Sequence, residues 1–266
     1  MDILEYSVFE DREGRKGTLR HPWETARAEI ASFLLSRISF PKDFSIVDFG
    51  CGDGYSLRHI AHAIHSENCL GIDVSLSEKH ISVINDAFKR EKIKGQVSKD
   101  LSEAYRFSLV NKVGLVSFMD VLEHIMDDRS FLKESLSRCR LSRRSVVFIT
   151  VPAFQSLFSS HDRYLGHCRR YSADMLTSLV LDAGLAISEC GYMFSSLLVP
   201  RYLQCIKERL LKKENEEANL GNWNGGPFLT RSIHSALMTD FRICRMLRRI
   251  GINIPGLSLY CIAEIP

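Results

Sequence analysis

The chain lacks the features that would set it apart from ordinary globular proteins. No apolar run reaches the about 18–20 residues that a membrane-spanning helix needs. The opening Met1, Asp2, Ile3, Leu4, Glu5 turns polar too soon for a secretory signal. Charge of one sign is also missing: 35 Lys and Arg face 32 Asp and Glu, a formal +3. That balance gives no field to argue for nucleic acid, and no such partner is expected. Eight cysteines contain no CxxC pair, which removes the usual signature of a zinc site or a disulfide scaffold. The expectation is free thiols in a reducing cytoplasm and no bound metal. Repeats and low-complexity tracts are absent too. What remains, 266 residues of which 45% are hydrophobic and 25% charged, suits one large α/β domain with an appendage.

Hydrophobic periodicity divides the chain into alternating elements. Helical spacing over 21–39 (Ala26, Ile30, Phe33, Leu34, Ile38) follows a charged arm. Short apolar strands are expected at 45–49, 69–74, 95–98, 113–119, 146–151, 185–192 and 257–263. Helices are expected between them at 55–65, 78–90, 128–137 and 173–183. Nearly all-apolar strands alternating with helices imply a doubly wound, mostly parallel sheet covered on both faces. About sixty residues part the last two strands, where a hairpin would suffice. This stretch reads as a helical insert: a basic helix over 202–213, a turn at 221–227 and an amphipathic helix over 230–249. On the last helix Ile233, Leu237, Phe241, Met246 and Ile250 fall roughly on one side, among Arg242, Arg245, Arg248 and Arg249. The division is therefore an arm and helix over 1–40, a core over 41–195, an insert or lid over 196–256 and a final core strand over 257–266. The basic amphipathic helix also fits peripheral membrane contact, although such a pattern is more often packed on its own domain.

The first strand runs directly into Asp48-Phe49-Gly50-Cys51-Gly52-Asp53-Gly54, and a helix follows. Glycines there let the backbone turn sharply and pass close to a ligand, and the helix N-terminus offers unpaired N–H groups. A nicotinamide fingerprint needs glycine at the place held by Tyr55. The spacing Gly50-x-Gly52-x-Gly54 after Asp48 fits without exception. Asp73 ends the second strand, where its carboxylate can accept both ribose hydroxyls of an adenosine.

These segments, with Gly71-Ile72-Asp73-Val74 and Phe118-Met119-Asp120-Val121-Leu122-Glu123-His124, resemble the class I S-adenosylmethionine-dependent methyltransferases of the small-molecule type. The resemblance spans about residues 20–190. It implies a Rossmann-like, seven-stranded sheet ending in an antiparallel strand, and S-adenosylmethionine as cofactor. It would place Asp73 and Val74 at the adenosine, Asp100 near the adenine amino group, Gly50 and Gly52 near the methionine portion, and Asp120 in the pocket wall. Cys51 and Gly54 complete the loop.

The segment 161–171 holds two histidines, three arginines and two tyrosines in eleven residues. It resembles a segment of a methyltransferase subgroup associated with surface-polysaccharide and lipid-carbohydrate pathways. His161 or His167, and after the fourth strand His124, are candidate bases for a hydroxyl proton. Arg163, Arg169 and Arg170 offer guanidinium forks for a phosphate or carboxylate, with Tyr171 beside them. The same residues also fit a structural loop. The sequence thus points to O-methylation of a sugar, glycolipid or other small metabolite, the acceptor being a small molecule or a lipid-linked carbohydrate. A cofactor-binding scaffold without turnover is the alternative. An Asn-Pro-Pro-type base-handling motif is missing after the fourth strand, which gives flipped-base chemistry little support.

Overall fold

The computed structural model describes residues 19–211, 223 and 225–266. Residues 1–18 of the expected arm over 1–20 lie outside them. Helix α1 (Pro22–Leu35) starts with His21, whose ring accepts from the Trp23 amide at 3.2 Å, and with proline in the first turn, where no amide is needed. Then come β1 (Phe44–Phe49), α2 (Tyr55–Ala63), β2 (Asn68–Ile72), α3 (Glu78–Arg90), β3 (Gly95–Ser98), α4 (Ser102–Val110), β4 (Lys112–Met119), α5 (Asp128–Ser137) and β5 (Leu141–Pro152). The chain closes with α6 (Ser160–Tyr164), α7 (Ala173–Asp182), β6 (Ala186–Met193), α8 (Leu198–Leu211), α9 (Gly226–Arg249) and β7 (Ser258–Glu264).

The seven strands form one sheet in the order β3-β2-β1-β4-β5-β7-β6. The first five are mutually parallel, and β7 runs antiparallel to both β5 and β6. Alternate residues feed two cores. Ile46, Leu115, Phe148 and Tyr260 face α1, α2, α3 and α9. Val47, Val116, Ile149 and Cys261 face α4, α5 and α7. Burial on both faces explains why β1 and β4 read as continuous apolar runs. The order reverses between β1 and β4, so their carboxyl ends open a crevice between outgoing loops.

Several elements differ from the sequence expectation. Helix α4 has no readable stripe, because Tyr105, Leu109 and Val110 face solvent while only Ala104, Phe107 and Ser108 are buried. Strand β5 starts five residues earlier than 146, in an exposed polar stretch that no periodicity marks. On α9 the buried side is Leu237, Met238 and Phe241, whereas Met246 and Ile250 are exposed. Arg245 and Arg248 turn inward instead, because Glu189 meets them: Arg245 at 2.9 Å, and Arg248 at 3.6 Å and through the Tyr260 hydroxyl. The basic helix of the 202–213 stretch is α8, which begins earlier. Residues 212 and 213, and 221, 222 and 224 of the expected turn, lie outside the described residues. Among those described, no helix is long and apolar enough to cross a membrane.

Gly71 on β2 is where the loop after β1 touches the sheet. A Cβ there would lie 2.6 Å from the Cys51 sulfur and 2.9 Å from Val97 Cγ1. Both neighbours are buried and neither can retreat freely. Gly71→Ala should therefore cost about 1–3 kcal/mol, the range for overfilling a packed core. Urea denaturation monitored by circular dichroism tests this, and an unchanged midpoint would refute the close approach.

Candidate active site

The crevice is built at the carboxyl edge of the sheet. Gly50, Gly52 and Gly54 all have positive φ (70°, 54° and 68°), so the loop makes three turns that L side chains resist. The Gly50 amide donates to the Ile72 carbonyl at 2.7 Å, fastening the loop to β2. Asp73 accepts from the Gly52 amide and from the Ser75 amide, each at 3.0 Å. A carboxylate has further lone pairs after two such bonds, so it can still accept from a ligand. Val74 beside it is 66% exposed, an apolar side chain left open at the crevice. Asp100, after β3, is also exposed and accepts from the Ser102 amide at 2.8 Å, just before α4.

Beneath the loop Asp48 is buried at 1% exposure. The Ser117 hydroxyl donates to one of its oxygens at 2.6 Å, and the other has no partner among the described residues. Burial pushes this carboxyl up to about 7, against the pull of Ser117. Cys51 is buried too, and burial drives its thiol well upward, so it is inert rather than nucleophilic. Asp120 follows β4 at φ 55°, where Thr150 donates to it at 2.9 Å and Arg27 pairs with its other oxygen.

Sequence reasoning misses the part that α1 plays here. Arg27 bonds Asp120, and just before the helix Arg20 pairs with Asp53 of the glycine loop. Trp23 lies under the Arg27 guanidinium, 4.5 Å from the ring centre, and 5.8 Å from Phe194. The N-terminal helix is thus tied to the loop and to the end of β4. Pairs so distant in sequence carry no local pattern.

The candidate acceptor residues gather between two segments. Cys168 donates its amide to the Glu123 carbonyl at 2.7 Å, which pins 161–171 against the turn after β4. The His124 and His167 rings meet edge to face with centres 4.7 Å apart. Asp162, with no exposure, accepts from Arg170 at 2.7 Å, His167 at 3.0 Å, the Ser159 amide at 3.0 Å and Arg201 of α8 at 3.4 Å. Burial opposes its charge, but His167 and Arg170 hold it well below the usual carboxylate range. His161 is lowered to about 4, by burial and then by Arg201, and His124 to about 3, chiefly by burial. Both are neutral at physiological pH, able to accept a proton but weakly basic.

The arginines do not converge. Arg170 is 5% exposed and spends its guanidinium on Asp162 and the Ala153 carbonyl. Arg169 binds Asp128 at 2.8 Å and the Met126 carbonyl at 2.6 Å. Tyr171 is 1% exposed and donates to Asp128 at 2.7 Å. Arg163 lies on the exposed side of α6. Arg170 and Tyr171 therefore work inside the protein, which is the structural-loop alternative that their residue types left open beside ligand binding. Glu123, fully buried with both carboxylate oxygens lacking partners among the described residues, is visible in the sequence only as part of a motif.

Asp48 gives stability a definite pH dependence. The native chain keeps a proton there that the unfolded chain has lost at ordinary carboxylate pH. Stability from this group therefore falls as pH rises from about 4 to about 7. Asp48→Asn removes that loss. The variant should gain on wild type by a few kcal/mol between about pH 4 and about pH 7, since each tenfold fall in proton activity across that range costs the wild type roughly 1.4 kcal/mol. Urea midpoints across this range test it, and parallel curves for the two proteins would rule it out.

A methyltransferase domain family model matches residues 23–189, well over half of the chain. Among curated proteins no match is found. Solved structures with a similar fold include the [4+2]-cyclase SpnF, at TM-score 0.56 and 15% identity over 99% of this chain and 93% of that one. Phosphoethanolamine N-methyltransferase 2 of Haemonchus contortus, in complex with S-adenosyl-L-methionine, gives 0.54 and 15% over 98% and 57%. The complex of the Haloferax volcanii Trm112 methyltransferase activator with a methyltransferase gives 0.53 and 16% over 91% of each chain. At such identities the likeness is one of fold; the glycine loop, the acid ending β2 and the matched family model go further. The chain belongs to the methyltransferase domain family and is an S-adenosylmethionine-dependent methyltransferase.

Proposed function

We propose that the chain transfers a methyl group to a hydroxyl of a sugar, glycolipid or other small metabolite. The observation that carries this reading is the packing of 161–171 on the Glu123–His124 turn, at the same sheet edge as the glycine loop. It sets polar, proton-accepting groups beside the donor's crevice.

S-adenosylmethionine supplies a methyl carbon on a positively charged sulfur, open to in-line attack. The chain's task is then alignment, with a base only where the acceptor must lose a proton. In this reading Asp73 takes the ribose hydroxyls and Val74 lies along the adenine. Asp100 faces the adenine amino group. The loop from Gly50 through Cys51 and Gly52 to Gly54 runs along the methionine end. The unpartnered Asp48 oxygen fits a donor group there, and Asp120 with Arg27 closes the wall. The helices of 196–256 serve as a cover on the acceptor side, where α8 already reaches Ser159 through Arg201 at 2.6 Å and Ser160 through Glu208 at 3.1 Å. Of the candidate bases, His167 is held in a fixed orientation by Asp162, and His161 and His124 flank it as neutral rings.

Calorimetric titration of S-adenosylmethionine tests the donor half. Asp73→Ala should bind about 10- to 100-fold more weakly, the cost of one or two hydrogen bonds to a charged group. Undiminished affinity would remove the ribose assignment. Methyl transfer to a panel of free and lipid-linked sugars tests the acceptor half. Donor binding with no transfer to any hydroxyl would favour the scaffold alternative.

A further inference from the structure

Glu123 is the most demanding group in the site that donor alignment leaves unused. It sits in the short turn Leu122–His124 after β4, has no exposure, and neither of its oxygens finds a donor among the described residues. A buried carboxylate in that state needs a proton or a cation. The arginines whose charge reaches it, Arg27 and Arg170, are already paired with Asp120 and Asp162.

Two imidazoles stand beside it. One ligand atom each from Glu123, His124 and His167 lie within 4.8 Å of one another. Glu123 and His124 are neighbours on one turn, so their relative placement is local. His167 arrives from the 161–171 segment, and the bond from the Cys168 amide to the Glu123 carbonyl at 2.7 Å fixes it there. His167 Nδ1 lies 3.0 Å from Asp162 Oδ1. A proton shared in that contact leaves Nε2 with its lone pair outward. A carboxylate behind an imidazole is how metal-ligating histidines are usually oriented. Asp162 is itself held by Arg170 and Arg201, so the support is rigid.

We propose that Glu123, His124 and His167 bind a divalent transition-metal ion, zinc or an ion of similar preference, with Asp162 as a positioning residue behind His167. Two imidazoles and one carboxylate suit such ions, and three protein ligands leave coordination positions for an outside oxygen. The consequence for catalysis rests on the methyl-transfer reading; the metal site itself does not. With His124 and His167 engaged as ligands and no longer as bases, a hydroxyl on an open position becomes more acidic and gives its proton to water. Its oxygen then bonds the methyl carbon while the carbon–sulfur bond breaks, and that electron pair stays on sulfur.

Cobalt(II) alone is the probe. Chelator-treated wild type titrated with Co²⁺ should develop visible d–d absorption that saturates at one ion per chain and is displaced by Zn²⁺. Glu123→Gln and His167→Ala should each weaken Co²⁺ binding by about 100-fold or more, and Asp162→Asn by about 10- to 100-fold, as for other supports of metal ligands. Zn²⁺ should also raise the melting temperature of wild type, a readout that needs no variant. The proposal is overturned if wild type gives neither the absorption nor the melting shift, or if Glu123→Gln binds Co²⁺ as wild type does. Donor titrations on the same variants separate the two readings: lost Co²⁺ with retained S-adenosylmethionine binding concerns the metal site alone, and the reverse concerns the donor site.

Discussion

Burying the Asp162 carboxylate obliges the chain to surround it with donors, and these come from four residues. Ser159 caps the short α6 that carries it, His167 and Arg170 return from the following loop, and Arg201 reaches in from α8. Arg170 extends the connection to the Ala153 carbonyl at the end of β5. One anion therefore fixes the shape of a loop, the orientation of a histidine and the seat of a helix that comes 36 residues later. Removing such a charge would strand several cations, and breaking a buried pair in other proteins costs about 3–5 kcal/mol. The segment 161–171 is ordered by this requirement first, and its chemistry follows from the order.

The donor side is organised differently, by backbone. Three left-handed glycines and a glycine on the neighbouring strand let the loop lie flat against β2, and Asp73 closes it by accepting the Gly52 amide. Ion pairs then tie the α1 region across, through Arg20 to Asp53 and Arg27 to Asp120. Those pairs join an element outside the alternating strands and helices to the two ends of the crevice. On its other side α1 meets α9 through Phe33 and Phe241 and through Glu29 and His234. The helices outside the sheet's own crossovers are thus part of one structure with the site.

Much of this is legible in the sequence because it is local. Glycine spacing, the acid ending β2 and alternating apolar runs are patterns within a few residues, and the sheet follows from them. What is not legible depends on distance. Arg20 and Arg27 have no motif, since their partners are 33 and 93 residues away. Arg245 and Arg248 break the apolar stripe of α9 because a carboxylate on β6 pairs with them. Helix α4 hides because its apolar residues point to water. Glu123 and Asp162 stand in plain view within recognisable segments, yet their burial, which gives each its meaning, is a property of the fold and not of the neighbours in sequence.

The strands β4, β5 and β6 leave the sheet on the same edge, and after each a non-glycine residue takes a left-handed conformation: Asp120 at φ 55°, Phe154 at 64° and Phe194 at 62°. An L residue in that region is strained by about 1–2 kcal/mol. Glycine would relieve each turn, but it would remove the Arg27 partner, the ring stacked on Tyr192 or the ring beside Trp23. The rim of the crevice thus keeps its strain because packing outweighs it: Phe194 has no exposure, and truncating such a buried ring costs about 3–5 kcal/mol.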